Sequence, residues 1–391
     1  MLQARASRIA IPVAALAFTL GADPRPSAAG NLWPSPDWVV STPEEQGMDT
    51  ALLEQARDFA LTGAGSGIVV RAGYSVMTWG SQSSRKELKS ATKSFGATLL
   101  GVAIEDGLAT LEDAADIHYP DMGLPPVAND TTGWLPQISL FDLATHSAGF
   151  DKPGGYIPLE NEPGTQWQYS DGGANWLADV LTVAFGEDLE SVMFTRVLTP
   201  LGIGSSDFQW RDNAYRADTI EGIKSREFAS GISADVDAMA RLGYLYLRGG
   251  EWDGLRILPT SFVAQAATSD PSIAGLPEED PVKYPNATDH YGLLWWNNND
   301  GALSGVPTDT YWAWGLNENL IVVMPSYDLV VARGSDDGWQ SGWSGDYSVL
   351  APFLQPIAAA VTVVSTGVDE GLPESSWGSI KSRFRTGSTD Q

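Results

Sequence analysis

Ser90-Ala91-Thr92-Lys93 sets a hydroxyl and an amine three residues apart. On a helix, positions i and i+3 share a face one turn apart, so the Lys93 ammonium can reach the Ser90 hydroxyl. A serine hydroxyl is a weak nucleophile until a base takes its proton, and a lysine is that base only when its proton affinity falls. Burial and the positive end of a helix dipole both push in that direction. The same four residues also spell a serine N-cap followed by a surface lysine, and so short a string recurs by chance. What favours the chemical reading is the stretch that follows. Phe95, Leu99, Leu100, Val102, Ala103 and Ile104 make nearly the whole circumference of a helix over residues 90–106 apolar, with Gly107 just beyond as a C-cap. A lysine on the inward face of a buried helix needs a reason.

Two other segments carry chemical potential. In Glu162-Pro163-Gly164-Thr165-Gln166-Trp167-Gln168-Tyr169-Ser170-Asp171, a turn leading into a helix, Tyr169 could complete a serine–lysine–tyrosine proton relay, its phenolate favoured by a nearby ammonium. Taken alone it reads equally as a packed core aromatic. Tyr311-Trp312-Ala313-Trp314-Gly315-Leu316 precedes a strand, and a glycine there lets a substrate approach the backbone, whose N–H groups can then hold an oxyanion. Its bland reading is the aromatic end of a core strand. No serine has glycine two positions before and two after it, so the G-x-S-x-G nucleophile elbow is absent. His146 ends an apolar helical segment and reads as a hydrogen-bonded structural residue rather than a base.

The elements that must position these groups follow from pattern. Gly67–Val70 and Ser75–Trp79 are short β-rich runs joined at Arg71-Ala72-Gly73, a hairpin. A Pro-, Asn-, Thr- and Gly-rich loop over 120–136 precedes helical patterns at Leu140–Thr145, Gly173–Phe185, Leu189–Val197 and Ala234–Leu247, the last with Ser233 as N-cap. Strand character returns at Tyr291–Trp296, Asn319–Met324 and Asp328–Ala332, the last two separated by a Pro325-Ser326-Tyr327 turn. Strands from both chain ends therefore flank a helical middle, which predicts one α/β (α+β) sheet layer with a helical insertion. The expected divisions are an α/β part at about 45–120 and 290–365, an insertion at about 121–289, and a loosely ordered tail over 366–391.

Composition excludes whole classes. With 391 residues, 43% of them hydrophobic, the chain has ample material for a core. Lys plus Arg number 23 against 49 Asp plus Glu, a net charge of −26 that repels phosphate backbones and anionic lipid headgroups. No nucleic-acid partner is expected. The absence of cysteine excludes thiol catalysis, disulfides and thiolate–metal sites, and three histidines make a multi-histidine metal centre a poor fit. Arg5 and Arg8, the apolar run Ile9–Leu20 and the small residues Ser27-Ala28-Ala29 have the order of a secretory signal, residues 1–29. Cleavage after Ala29 would remove three arginines and one aspartate, leaving a mature chain two charges more negative. No later segment offers about 18 unbroken apolar residues, so no membrane insertion of the mature chain is expected.

The three chemical segments together resemble the serine hydrolases of the class C β-lactamase, penicillin-binding protein and related esterase superfamily. The resemblance runs in order over roughly residues 45–355. It comprises the hairpin, Ser90-Ala91-Thr92-Lys93-Ser94-Phe95, Leu143-Ala144-Thr145-His146-Ser147-Ala148-Gly149, Glu162-Pro163-Gly164 with Tyr169-Ser170-Asp171, Pro200-Leu201-Gly202-Ile203, and the block from Gly315 to Val331. It implies an antiparallel sheet with flanking helices, an all-helical second domain, and an active site in the cleft between them. By the resemblance Ser90 is acylated, Lys93 and Tyr169 shuttle protons, the Ser90 and Leu316 N–H groups hold the oxyanion, and no metal or organic cofactor takes part. Two positions depart from the family pattern. The second motif often reads Tyr-x-Asn, whereas Asp171 is an acceptor-only carboxylate, suited to stabilising a charged Lys93 or a cationic substrate group. The third motif begins with Lys or His in β-lactamases and transpeptidases, and Ala313 stands there.

The expectation is a secreted or periplasmic serine hydrolase that cleaves small neutral esters, or amides less readily, through an acyl-enzyme. Trp312 and Trp314 would form flat apolar walls beside Gly315 and Leu316. The competing readings are a β-lactamase or D,D-peptidase/aminopeptidase-type amide hydrolase, weakened by Ala313, and a catalytically silent sensor of the same fold. A sensor would have no need of Ser90, Lys93 and Tyr169 together.

Overall fold

A computed structural model describes residues 31–340 and 345–362; the expected signal, 1–29, and the expected tail, 366–391, lie outside the described residues. Seven strands form the main sheet: β1 (Val39–Val40), β2 (Ser66–Arg71), β3 (Tyr74–Trp79), β4 (Trp296–Asn297), β5 (Tyr311–Gly315), β6 (Asn319–Met324) and β7 (Leu329–Gly334). Their spatial order is β1-β3-β2-β7-β6-β5-β4, with only β1–β3 parallel. Both chain ends therefore meet at the β2–β7 pair, in register from Arg71 opposite Leu329 to Ser66 opposite Gly334. β2, β6 and β7 are buried along their whole length, which is why they read as unbroken apolar runs rather than alternating ones. Ala72 and Gly73 turn the β2–β3 hairpin, both at positive φ, as a two-residue loop matched to strand twist requires.

Five helices matter for the site or the sheet: α1 (Thr50–Ala60), α2 (Thr92–Glu105), α3 (Asp171–Phe185), α4 (Val236–Leu247) and α5 (Ala351–Ala360). α1 and α5 pack on each other, and α4 lies on β2, β6 and β7. Gly243 sets the approach of α4, since a Cβ there would stand 2.7 Å from Val330 and 2.8 Å from Ile321. The middle of the chain is not all-helical as the resemblance implied: its helices are separated by long loops and it carries small sheets, among them a three-stranded one in which Phe208–Trp210 and Ile232–Ala234 join Lys86–Glu87. No helix of the described residues is long and apolar enough to cross a membrane.

Three local expectations are corrected. Ser233 does not cap α4: it belongs to the strand Ile232–Ala234, and Asp235 is the cap, its carboxylate accepting from the Ala238 N–H at 2.9 Å. Strand over 291–296 shrinks to β4, because Leu294 takes a positive φ of 56° that breaks the extended chain, leaving an isolated bridge between Tyr291 and Trp296. The helix expected over Leu189–Val197 changes at Phe194 from α to a wider π turn.

Candidate active site

Ser90 sits in a single 3₁₀ turn, Lys89–Ala91, that feeds directly into α2. It is not the helix N-cap; that position is Ala91, and no side chain caps the helix, so the Ser90 hydroxyl is left for other work. Lys89, just before it, has a left-handed φ of 53°, a conformation costly for a residue with a Cβ and concentrated at functional turns. Three contacts hold the turn. Leu88 pairs through its N–H with the Ile232 carbonyl at 2.8 Å, the Thr92 hydroxyl accepts from the Ile232 N–H at 3.3 Å, and the Ser94 hydroxyl donates to the Leu294 carbonyl at 2.8 Å.

β5 closes against this turn. A Cβ on Gly315 would stand 1.9 Å from the Leu88 carbonyl oxygen and 3.0 Å from the Ala91 nitrogen, so only glycine lets the strand backbone lie against the residues flanking Ser90. Asn319 fixes the same junction: its amide donates to the Leu316 carbonyl at 2.8 Å and the Glu87 carbonyl at 3.3 Å, and its oxygen accepts from the Ser335 N–H. Buried Arg333 donates to the carbonyls of Asn317 and Glu318, holding the turn after Leu316. Leu316 itself is 43% exposed.

The strand's other face corrects an expectation. Trp312 and Trp314 are 0% and 1% exposed, and their rings pack against Tyr347 and, for Trp314, Trp296, so they build the core behind the strand rather than exposed walls of a cleft. Period-2 alternation explains this: Ala313 and Gly315, the small residues, share the opposite face.

The opposing group is carried by the start of α3. Lys93, 1% exposed, donates to the Ser90 hydroxyl at 3.4 Å, to the Ala229 carbonyl at 3.4 Å and to an Asp171 carboxylate oxygen at 2.5 Å. The other Asp171 oxygen accepts from Lys152. The Tyr169 ring stands beside both ammoniums, with Lys93 Nζ 4.8 Å and Lys152 Nζ 5.1 Å from its centre. Stacking on Trp296 and Tyr284, with His146 packed against it at a tilt, fixes the ring.

Electrostatics follow from burial. Desolvation would raise the Asp171 carboxyl, but Lys93 and then Lys152 overcome it and hold Asp171 below the usual carboxylate range. The Tyr169 phenol is pushed up, first by burial and then by Asp171, with Lys152 and the nearby Ser90 hydroxyl opposing. A phenolate favoured by its neighbours was the expectation; burial decides instead for the protonated phenol. His146 is buried and held well below its ordinary value, first by desolvation and then by Lys93, so it is neutral. Its Nδ1 accepts from the Ser170 N–H at 3.3 Å, which leaves Nε2–H to donate to the Tyr291 hydroxyl at 3.0 Å.

Ser90, Lys93, Tyr169 and Asp171 are thus brought together, with Gly315 against the Ser90 turn. Lys152 was missed by sequence reasoning. It is the only Lys or Arg between residues 147 and 171, and a carboxylate at the amide position beside a buried lysine was the signal for a second cation nearby. Among the described residues no cluster of His, Asp and Glu is arranged to hold a metal ion.

No curated protein matches the sequence. Among solved structures the chain is similar to a β-lactamase from Mycobacterium bovis (20% identity, TM-score 0.57, 79% of this chain and 100% of that one). It is similar also to a family VIII carboxylesterase (14%, 0.57, 81% and 99%) and to the simvastatin synthase LovD from Aspergillus terreus (18%, 0.60, 79% and 98%). At such identities these likenesses speak for the fold. The Beta-lactamase family model matches residues 58–368, most of the chain, and spans every site residue described above. The chain therefore belongs to the Beta-lactamase family and is a serine hydrolase.

Proposed function

We propose that this hydrolase is exported and cleaves small uncharged esters through an acyl-enzyme on Ser90. The observation that carries the reading is the buried Lys93 ammonium, whose polar contacts are the Ser90 hydroxyl, Asp171 and one carbonyl. Reaction starts from the form in which Lys93 has given up its proton to solvent and Tyr169 keeps its own: the Ser90 oxygen attacks the ester carbonyl while its proton passes to the neutral Lys93 amine, directly or through the Tyr169 hydroxyl, and the carbonyl oxygen becomes an oxyanion held by the N–H groups of Ser90 and Leu316. Collapse breaks the bond to the alkoxy oxygen, which leaves as the alcohol after taking a proton from the Lys93–Tyr169 unit. Water then attacks the acyl-enzyme by the reverse proton path, releasing the acid and restoring the Ser90 hydroxyl.

Substrate charge separates this reading from its rival, a β-lactamase or peptidase. A β-lactam presents a carboxylate, and the position that would meet it is Ala313, buried and uncharged. The net charge of −26 adds a long-range penalty for anions, screened within about 8–10 Å at physiological salt. Losing one charge-assisted contact typically costs about 1.5–3 kcal/mol, on the order of ten- to a hundredfold in specificity. The test compares kcat/KM for p-nitrophenyl butyrate and nitrocefin on one preparation. A larger value for nitrocefin would restore the β-lactamase reading, and Ala313→Lys should move the ratio toward nitrocefin if the missing cation is the cause.

A further inference from the structure

Lys152 is not a surface lysine that happens to lie near a carboxylate. Its carbonyl accepts from the Asp171 N–H at 2.9 Å, its N–H donates to the Asp151 carboxylate at 2.6 Å, and the Asp151 carbonyl accepts from the Ser170 hydroxyl at 2.6 Å. The loop is thereby registered to the first turn of α3 through its backbone, and the Lys152 side chain, 39% exposed, reaches the Asp171 oxygen that Lys93 leaves free.

Charge counting gives this arrangement a meaning. Lys93 beside a neutral amide at position 171 would give the site one positive charge. Lys93 with Asp171 alone would give none, and a carboxylate bound to one ammonium resists that ammonium's deprotonation. Lys93, Asp171 and Lys152 together return the count to one positive charge. We propose that Lys152 is a positioning residue for catalysis: by sharing the Asp171 carboxylate it cancels the charge that Asp171 brings, and so keeps Lys93 able to accept the Ser90 proton. The inference rests on the Ser90–Lys93–Tyr169 reading above.

The other groups around the pair do not supply that compensation. His146 is neutral, and Tyr169, Tyr284 and Tyr291 bring phenols. Asp151 contacts the Lys152 N–H and the Gln168 amide. Glu227, on the segment whose Ala229 carbonyl meets Lys93, is paired with Arg211 at 2.5 Å.

The test is the pH profile of kcat/KM for p-nitrophenyl butyrate in the full chain, compared among the parent, K152M, K152R, D171N and the double variant D171N/K152M. K152M should move the acid limb upward by about one pH unit, which is about tenfold less activity on that limb, with recovery at alkaline pH. D171N should move the limb downward. The double variant should return it toward the parent position, and K152R, which keeps the charge, should leave the limb in place. A K152M limb that coincides with the parent's, or a double variant whose limb stays with that of either single variant instead of returning toward the parent's, overturns the proposal. A K152M protein that fails to fold, with K152R failing too, also overturns it, because the role would then be structural. Fluorophosphonate labelling of Ser90 is run in parallel. Labelling lost in S90A and K93M but an unmoved K152M limb rejects Lys152 alone, whereas undiminished activity in S90A rejects the underlying reading.

Discussion

The two sides of the site are made of different materials. On the Ser90 side, backbone lies on backbone: Gly315 of β5 against the Leu88 carbonyl, with Asn319 and Arg333 tying carbonyls together behind it. On the Tyr169 side, charged and aromatic side chains hold one another: two ammoniums on one carboxylate and a stacked tyrosine beside them. The first kind of wall fixes positions and is indifferent to pH. The second fixes protonation states and is sensitive to every charge added or removed. A nucleophile needs the former and a proton relay the latter, so substitutions on the two sides should fail in different ways.

The largest effect belongs to the nucleophile. Ser90→Ala should cut ester turnover on the order of 10⁴-fold or more and abolish fluorophosphonate labelling, while thermal unfolding stays close to that of the parent. Retained turnover would remove Ser90 from the reaction and with it the distinction between the walls.

Lys93→Met and Tyr169→Phe should each cost about 10²–10⁴-fold in kcat/KM, and the double variant should be hardly worse than the more severe single one, because either loss disables the same proton transfer. Independent, multiplicative losses would show two separate roles. The raised Tyr169 phenol adds a sign: its ionisation lies above the ordinary phenol value, so kcat/KM should show no descending limb from Tyr169 up to about pH 10.

Much of the Ser90 side was legible in the sequence because its determinants are local. The i, i+3 spacing, the apolar circumference of α2 and the turn Ala72-Gly73 each depend on a few consecutive residues, although the helix expected from Ser90 starts at Thr92 and leaves Ser90 in the 3₁₀ turn before it. The Tyr169 side was legible only as a motif. Lys152 is 59 residues from Lys93 in sequence and 19 from Asp171, and nothing local says that its loop returns to α3. The error over Trp312 and Trp314 has another origin. Composition shows that a strand is aromatic, but which face turns to the core depends on register, and register is set by the partner strands.

A backbone-built wall should be broken by a single methyl group. Gly315→Ala would place a Cβ 1.9 Å from the Leu88 carbonyl, so either β5 or the Ser90 turn must move. The cost expected from overpacking is about 1–3 kcal/mol of stability. Because a shift of about 1 Å between reacting groups can cost on the order of 10²-fold, kcat should fall further than stability alone explains. A variant that is destabilised yet fully active per folded molecule would show that the close approach serves packing and not the oxyanion site.

The smallest expected effect tests whether the charged wall confers pH sensitivity on folding itself. His146 lies beneath Tyr169, buried and neutral, its value depressed first by desolvation and then by Lys93. In the unfolded chain it titrates near its ordinary 6.5. As pH falls below that value the unfolded state takes up a proton that the folded state refuses, so the stability that His146 contributes is present above 6.5 and is lost on acidification toward the depressed folded value. The slope from one such group reaches about 1.4 kcal/mol per pH unit. His146→Asn is the suitable variant, since the left-handed φ of 65° at this position is one that asparagine tolerates. Urea unfolding at pH 6.5, 5.75 and 5.0 should give a shallower decline for His146→Asn than for the parent. His118 and His290 are common to both proteins and cancel in the difference. The variant should be less stable at pH 7, where the Ser170 N–H loses its acceptor, by about 1–3 kcal/mol, and should close part of that gap by pH 5. Parallel curves would mean that the histidine beneath the charged wall is protonated in the folded state, and the contrast between the two walls would then end at the Ser90 hydroxyl rather than extend into the core.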